Sequence, residues 1–388
     1  MHTVITGGAL LTPDETLSET TLVVEGSAIA ALVPGATPAE PGDQVIDAHR
    51  MWVAPGLIDL HVHGSGGHDS LDATPEALHG MARFFARHGV TGYLATTPAA
   101  PSADIAQAIE NVARTPQPED GAQHLGLHLE GPYLNPEHKG AQPAEQLRDP
   151  DPAEYAPWLT SEVMRLITVA PERPGALALI EHGVAQGVEF AVGHSAASYE
   201  EVLAAADRGL RQAAHTFNAM LGLHHRRPGA AGAVLADDRI YAQIIVDGVH
   251  VHPALVKILV RAKGPGRTIL ISDAIRAAGL DDGDYPLAGH PILVRQGIAR
   301  TPSGGLAGST ITLDAALRNV IRFADASLND ALRMATATPA EAMGWSGRKG
   351  VLAPGADADI ILLDAELNVR LTLVAGLQIV RIPEYGPQ

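Results

Sequence analysis

Apolar and polar residues follow two different rhythms along this chain. Up to about residue 54, segments such as HTVITGG and TLVVEGSAIAALV alternate over short spans between Gly, Pro and Asp, the texture of short strands joined by tight turns. The same texture returns from about residue 350, in DADIILLD and LTLVAGLQIV. Chain ends commonly lie close together, so residues 1–54 and 350–388 are expected to build one small β-sandwich domain, with residues 55–349 inserted between them.

The insert alternates short apolar runs with amphipathic stretches of helical period. Eight runs read as strands: GLIDLHVH (56–63), GVTGYLATT (89–97), HLGLHLE (124–130), RLITVAPE (165–172), GVEFAVGH (187–194), LRQAAHTF (210–217), IYAQIIVDG (240–248) and RTILISDA (267–274). LRQAAHTF is the least strand-like of them. TPEALHGMARFFARHG and SYEEVLAAADRGL read as helices, the second with Ser198 as N-cap and Gly209 as stop. Alternating strand and helix imply parallel pairing, and eight repeats in about 220 residues favour a closed, TIM-like (β/α)8 barrel over an open sheet.

Composition narrows the chemistry. The 388 residues are 46% apolar, enough for a large core. Lys and Arg number 27 against 44 Asp and Glu, a net charge of -17 that argues against nucleic acid and anionic membrane as partners. An anionic substrate would need a local arginine cluster. Without any cysteine, disulfides, thiolate metal sites and a cysteine nucleophile are excluded, and metal binding falls to His and carboxylates. The start, MHTVITGGALLTPDE, lacks the charge and apolar core of a signal peptide, and no run reaches the roughly 18 apolar residues of a membrane span, so the cytoplasm is the expected compartment.

A (β/α)8 barrel carries its active site at the C-terminal ends of its strands. Those ends here hold His61 and His63, Glu130, His194, His215 and Asp273. Strand alternation turns Val62 away and sends His61 and His63 to one side, so the pair can converge on one ion. Four His, one Glu and one Asp suit one or two divalent first-row ions, zinc first, with iron, manganese or cobalt as alternatives. Any one histidine alone would be read as a hydrogen-bonded core or rim residue; five strand ends together make the metal reading. His68, His79, His88, His182 and His290 stay outside the set, as does His128, although it shares a strand face with Glu130. HGSGGHD lacks the spacing of a dinucleotide loop, and VGHSAAS lacks the serine-hydrolase elbow.

Beyond these patterns, PGLIDLHVHG, HLEGPYLNPEHKGA, VGHSAAS, AAHTFNAM, VDGVHVHP, LISDAI and GGLAGST occur in the order found in N-acetylglucosamine-6-phosphate deacetylases, which the chain resembles over nearly its whole length. That family belongs to the amidohydrolase superfamily. The resemblance implies a metal-dependent deacetylase of a phosphosugar, with Glu130, His194 and His215 at the main metal site and His61 and His63 at a second. It implies Asp273 as the proton-transfer residue. Ala141, Gln142, Asn218, Ala219, Asp247, His250, Leu306, Ala307 and Gly308 match substrate contacts, and Arg226 matches a phosphate contact made across a homodimer interface.

Two positions depart from the family pattern. Arg227 stands where Glu is usual, which leaves open whether Arg226 or Arg227 meets phosphate, and Gln142 stands where His is common. Relatives that bridge two metals through a carboxylated lysine are disfavoured, because none of Lys139, Lys257, Lys263 and Lys349 falls at a strand end. Competing readings are an N-acetylgalactosamine-6-phosphate deacetylase, another amidase of the superfamily, and a non-catalytic barrel. GGLAGST reads equally as a helix entry capped by Ser309 or Thr310, and the arginine pair as a solvated loop.

Overall fold

The computed structural model describes residues 2–12, 15–35 and 40–381. At its centre stand eight strands: Leu57–Val62 (β1), Val90–Thr97 (β2), Gln123–Glu130 (β3), Met164–Val169 (β4), Glu189–Val192 (β5), Gln212–Ala213 (β6), Tyr241–Ile245 (β7) and Thr268–Ile271 (β8). Each pairs in parallel with the next. The ring closes at its C-terminal rim, where Asp273 N–H donates to the His61 carbonyl at 2.9 Å and His63 N–H to the Ala274 carbonyl at 2.8 Å. The (β/α)8 barrel expected from the apolar rhythm is the fold.

Strands covered on both faces carry nearly unbroken apolar runs. Ile58, Leu60, Leu94, Leu166, Ile245 and Ile269, drawn from all round the ring, meet in the barrel interior. Burying each is worth roughly 2 kcal/mol, and truncation to Ala would cost about 2–5 kcal/mol. Tyr93, Leu127, Ile167 and Val192 belong instead to the outer core between strands and helices, which also takes in Leu78 and Met81 of the helix Pro75–Arg87. The register of β2 on β1 shifts between the pairs Tyr93–Asp59 and Ala95–Val62. Strict alternation would face His61 away from Ile58 and Leu60; across this irregularity, with Asp59 Oδ1 accepting His61 N–H at 3.3 Å, His61 turns inward as they do.

The helix Tyr199–Asp207 opens as expected on Ser198, whose hydroxyl and the Glu201 carboxylate form a capping box, and ends just before Gly209, which adopts φ +107°. Two expectations are corrected. LRQAAHTF is a strand only at Gln212–Ala213, because the backbone turns left-handed at His215 (φ +29°), Phe217 (+80°) and Ala219 (+50°) and leaves the ladder. Neither Ser309 nor Thr310 caps a helix: Leu313–Ala324 follows Thr312, while the Ser309 hydroxyl donates to the Ser272 carbonyl at 2.5 Å and that of Thr310 to the Gly297 carbonyl at 2.5 Å.

Strands from both chain ends share a six-stranded sheet, in which Ile360–Leu363 pairs antiparallel with Trp52–Pro55. A four-stranded sheet from Thr3–Thr6, Thr20–Glu25, Ala28–Pro34 and Gln44–Asp47 packs with it over a core of Ile5, Leu22, Ile46, Ile360, Leu362 and Leu371. Residues 1, 13–14, 36–39 and 382–388 of the expected small domain lie outside the described residues. A three-stranded antiparallel sheet, Gly283–Leu287, His290–Arg295 and Ile298–Arg300, follows β8; the eight-strand reading did not foresee it. Among the described residues no helix is long and apolar enough to cross a membrane.

Candidate active site

Glu130, the last residue of β3, is the hub of the C-terminal rim. Its Oε1 lies 3.2 Å from His61 Nε2, 3.3 Å from His194 Nε2 and 2.8 Å from His215 Nε2, and its Oε2 lies 3.2 Å from His63 Nε2. Asp273 Oδ1 stands 3.6 Å from His61 Nε2 and 3.3 Å from His63 Nε2. All six side chains are buried. Five of the six candidates read from strand ends fall into two groups that share His61, His61–His63–Asp273 and His61–Glu130–His215, and His194 joins them through Glu130 and through His215 Nε2 at 3.2 Å.

Outer partners aim the imidazoles. The His194 Nδ1–H donates to the His138 carbonyl at 2.9 Å, and His61 Nδ1 faces Gln243 Oε1 at 3.4 Å. Gln243 is in turn held by Gln212 at 3.0 Å. With Nδ1 serving as the donor, the Nε2 lone pair is left for the centre. His128 sits beneath, its Nε2 2.8 Å from Thr168 Oγ1 and its ring 4.6 Å from that of His61. Burial and the nearby imidazoles hold its pKa well below the histidine range, which favours the neutral ring.

The backbone is strained where the chemistry is. His194 (φ +47°), His215 (+29°) and Asp273 (+51°) all lie in the left-handed region that L-residues rarely occupy. Gly308 (+56°) permits close approach from the other side, since a Cβ there would stand 2.5 Å from Ile275 Cγ2; Ser309 N–H then reaches the Asp273 carbonyl at 2.8 Å.

The donor set fits a divalent ion. Two ligands each about 2.1 Å from a tetrahedral ion stand roughly 3.4 Å apart, close to most separations around Glu130 and Asp273. His61 Nε2 is buried without a hydrogen bond, an orphan that a cation would satisfy. Burial would raise the Glu130 carboxyl, but His61, His194 and His215 outweigh it and hold it well below the carboxylate range; burial opposes the charge of Asp273 too, and His61 and His63 outweigh it and lower that carboxyl. Burial would lower His63, yet Asp273 and Glu130 push it up to about 10.

Above this centre opens a cavity of about 380 Å³, within the range of small-molecule sites. Of the residues matched to substrate contacts, Ala141, Gln142, Asn218, Ala219, His250, Leu306 and Gly308 line it. Three do not. Ala307 is fully buried; Asp247 reaches the cavity only through His250, whose Nδ1 lies 2.6 Å from Asp247 Oδ2; Arg226 belongs to the exposed loop 221–227. Among the described lining residues there is no Arg or Lys. Leu287 of the three-stranded sheet and Ala288 in the turn that follows it, with Thr301, Ser303 and Gly305 after the sheet, also line the cavity and were missed. The turn in VRQGIAR was the available signal for that sheet.

A model of the amidohydrolase family matches residues 52–379. An N-acetylglucosamine-6-phosphate deacetylase of Vibrio furnissii is 42% identical over 325 residues, covering 83% of this chain and 81% of that protein. An N-acetylgalactosamine-6-phosphate deacetylase of Escherichia coli O157:H7 is 39% identical over 379 residues, 97% of this chain and 99% of the relative. The crystal structure of N-acetylglucosamine-6-phosphate deacetylase from Pasteurella multocida matches with a TM-score of 0.93 at 31% identity, over 97% of this chain and 99% of that one. The chain belongs to the amidohydrolase family, among the N-acetylglucosamine-6-phosphate deacetylases.

Proposed function

We propose that this protein hydrolyses the acetamide of N-acetyl-D-glucosamine 6-phosphate to D-glucosamine 6-phosphate and acetate, a metal-dependent step of amino-sugar catabolism. One observation carries the reading: four imidazole Nε2 atoms and the Asp273 carboxylate gather round Glu130 at the floor of a cavity of small-molecule size. The names of the similar proteins support it.

Glu130, His194 and His215 would hold one divalent ion and His61 and His63 a second, with Glu130 shared; zinc is the first choice, and iron, manganese and cobalt are the alternatives. Such an ion, when bound, supplies Lewis acidity that lowers the pKa of water and polarises a carbonyl. Asp273, kept ionised by the imidazoles, takes a proton from the water whose oxygen adds to the acetamide carbon. As the C–N bond breaks, Asp273 returns that proton to the sugar nitrogen, and the acetyl group leaves as acetate. His250, its Nδ1–H committed to Asp247, turns Nε2 to the substrate and holds its acetamide or a hydroxyl.

The 6-phosphate needs a cation that the cavity lining lacks. Arg226 of a second copy of this chain, in a homodimer, would supply it by charge-assisted hydrogen bonds. Two features favour this arrangement: Arg226 is exposed, and the same loop exposes Leu223 to 61%, the kind of apolar side chain an interface covers.

A second reading, N-acetylgalactosamine 6-phosphate as substrate, draws on the Escherichia coli O157:H7 relative. Acetate release from both phosphosugars, with and without a chelator, tests the function. Release from the gluco sugar that stops in chelator is the expected outcome; activity undiminished by chelator overturns the metal-dependent reading, and a preference for the C4 epimer overturns the gluco assignment.

A further inference from the structure

Residues 138–142 form one loop that orients two groups of the centre at once. The His138 carbonyl takes the His194 Nδ1–H, and the Gln142 side chain reaches Glu130. Gln142 Nε2 donates to Glu130 Oε2 at 2.6 Å, while its Oε1 accepts the Ala99 N–H at 2.8 Å. The Ala99 bond decides which end of the amide is oxygen, so an N–H faces the carboxylate. The residue is only 6% exposed, and its own N–H is tied to the Lys139 carbonyl at 2.9 Å. Although Gln142 touches the cavity, both ends of its side-chain amide are engaged within the protein.

We infer that Gln142 is a positioning residue: by holding Oε2 of Glu130 it fixes the carboxylate so that Oε1 serves His61, His194 and His215 while Oε2 faces His63, and it thereby sets the affinity for the ion at His61 and His63. This departs from the sugar contact that the resemblance assigns to the position, and it rests on the metal-dependent reading above. The physical reasons are two. A glutamate already held in one rotamer gives up little side-chain freedom when an ion arrives. A neutral amide donor also leaves the carboxylate its negative charge, whereas a cationic donor would compete with the ion for the same oxygen.

The test is a cobalt(II) titration of chelator-stripped wild type, Gln142→Leu and Gln142→Met, following bound cobalt per chain and its visible absorption. The KM for N-acetylglucosamine 6-phosphate is then measured at saturating cobalt. Both variants should bind one cobalt about 10–100-fold more weakly, with KM within about twofold of wild type. Unchanged cobalt affinity with KM raised about tenfold would make Gln142 a sugar contact and overturn the inference alone. Wild type that takes up no cobalt overturns the metal reading and the inference with it. Should Gln142→Leu not fold, the unbranched Gln142→Met carries the comparison, and the melting temperature of each metal-free variant shows which case applies.

Discussion

His250 Nδ1 lies 2.6 Å from Asp247 Oδ2, and the same carboxylate's Oδ1 accepts the His250 backbone N–H at 2.8 Å. Burial opposes ionisation of Asp247, but His250 outweighs it and keeps the carboxyl below its ordinary pKa. The charge fixes the imidazole with Nε2 toward the cavity. Asp247→Asn should therefore cost about 10–100-fold in kcat/KM without loss of metal. Steady-state kinetics with metal analysis of the same preparation checks this; an unchanged kcat/KM would remove the pair from substrate binding.

Asp273→Asn tests the proton shuttle. The amide can neither take the proton of water nor return it, so turnover should fall at least about 10²-fold while metal content stays near that of wild type. Near-normal turnover would assign the proton transfers to another group.

Arg226→Ala should raise KM for the phosphorylated sugar much more than for a neutral N-acetyl analogue. If the arginine acts across a dimer, mixing inactive Asp273→Asn with Arg226→Ala subunits should restore activity in the hybrids, which carry one intact site each. Equal effects on both substrates, with no complementation, would return Arg226 to an ordinary exposed loop and leave the phosphate to another group.

Metal uptake should depend on pH. With His63 held at about 10 by Asp273 and Glu130, against the burial that opposes its charge, the ion-free protein carries a proton there at neutral pH, and an incoming ion must displace it. Apparent affinity for a divalent ion should thus rise with pH below about 10, near tenfold per unit if one proton is released. Cobalt titrations at several pH values measure the slope, and a flat profile would mean that His63 is neutral before the ion binds.

Asp314 supplies a stability test away from the centre. Burial disfavours its charge, but His88 at 3.2 Å and Arg318 at 2.9 Å overcome this and hold the carboxyl at about 2, below its usual 3.8. A folded pKa below the unfolded one means stability that is present above about pH 4 and lost as pH falls through about 2. Asp314→Asn should cost about 2 kcal/mol in urea unfolding near neutrality, and the difference should shrink on acidification.

The sequence by itself determined the order of strands and helices, the closed barrel, and the identity of the groups at the strand ends. These are properties of apolar period and of residue type, and both are local. Glu130, His194 and Asp273 were legible as candidates because polar, ionisable residues stand where apolar runs stop. What tertiary structure alone decided depends on contacts distant in sequence. The register shift that turns His61 inward needs β2 beside β1. The left-handed backbone at His194, His215 and Asp273 uses residue types that tolerate it better than most, but which positions adopt it is set by the rim contacts. The Gln142–Glu130 bond spans a folded loop, and its second anchor, Ala99, comes from the end of another strand. The absence of any Arg or Lys among the described cavity residues could be read only once the walls were assembled, because those residues come from loops far apart in sequence.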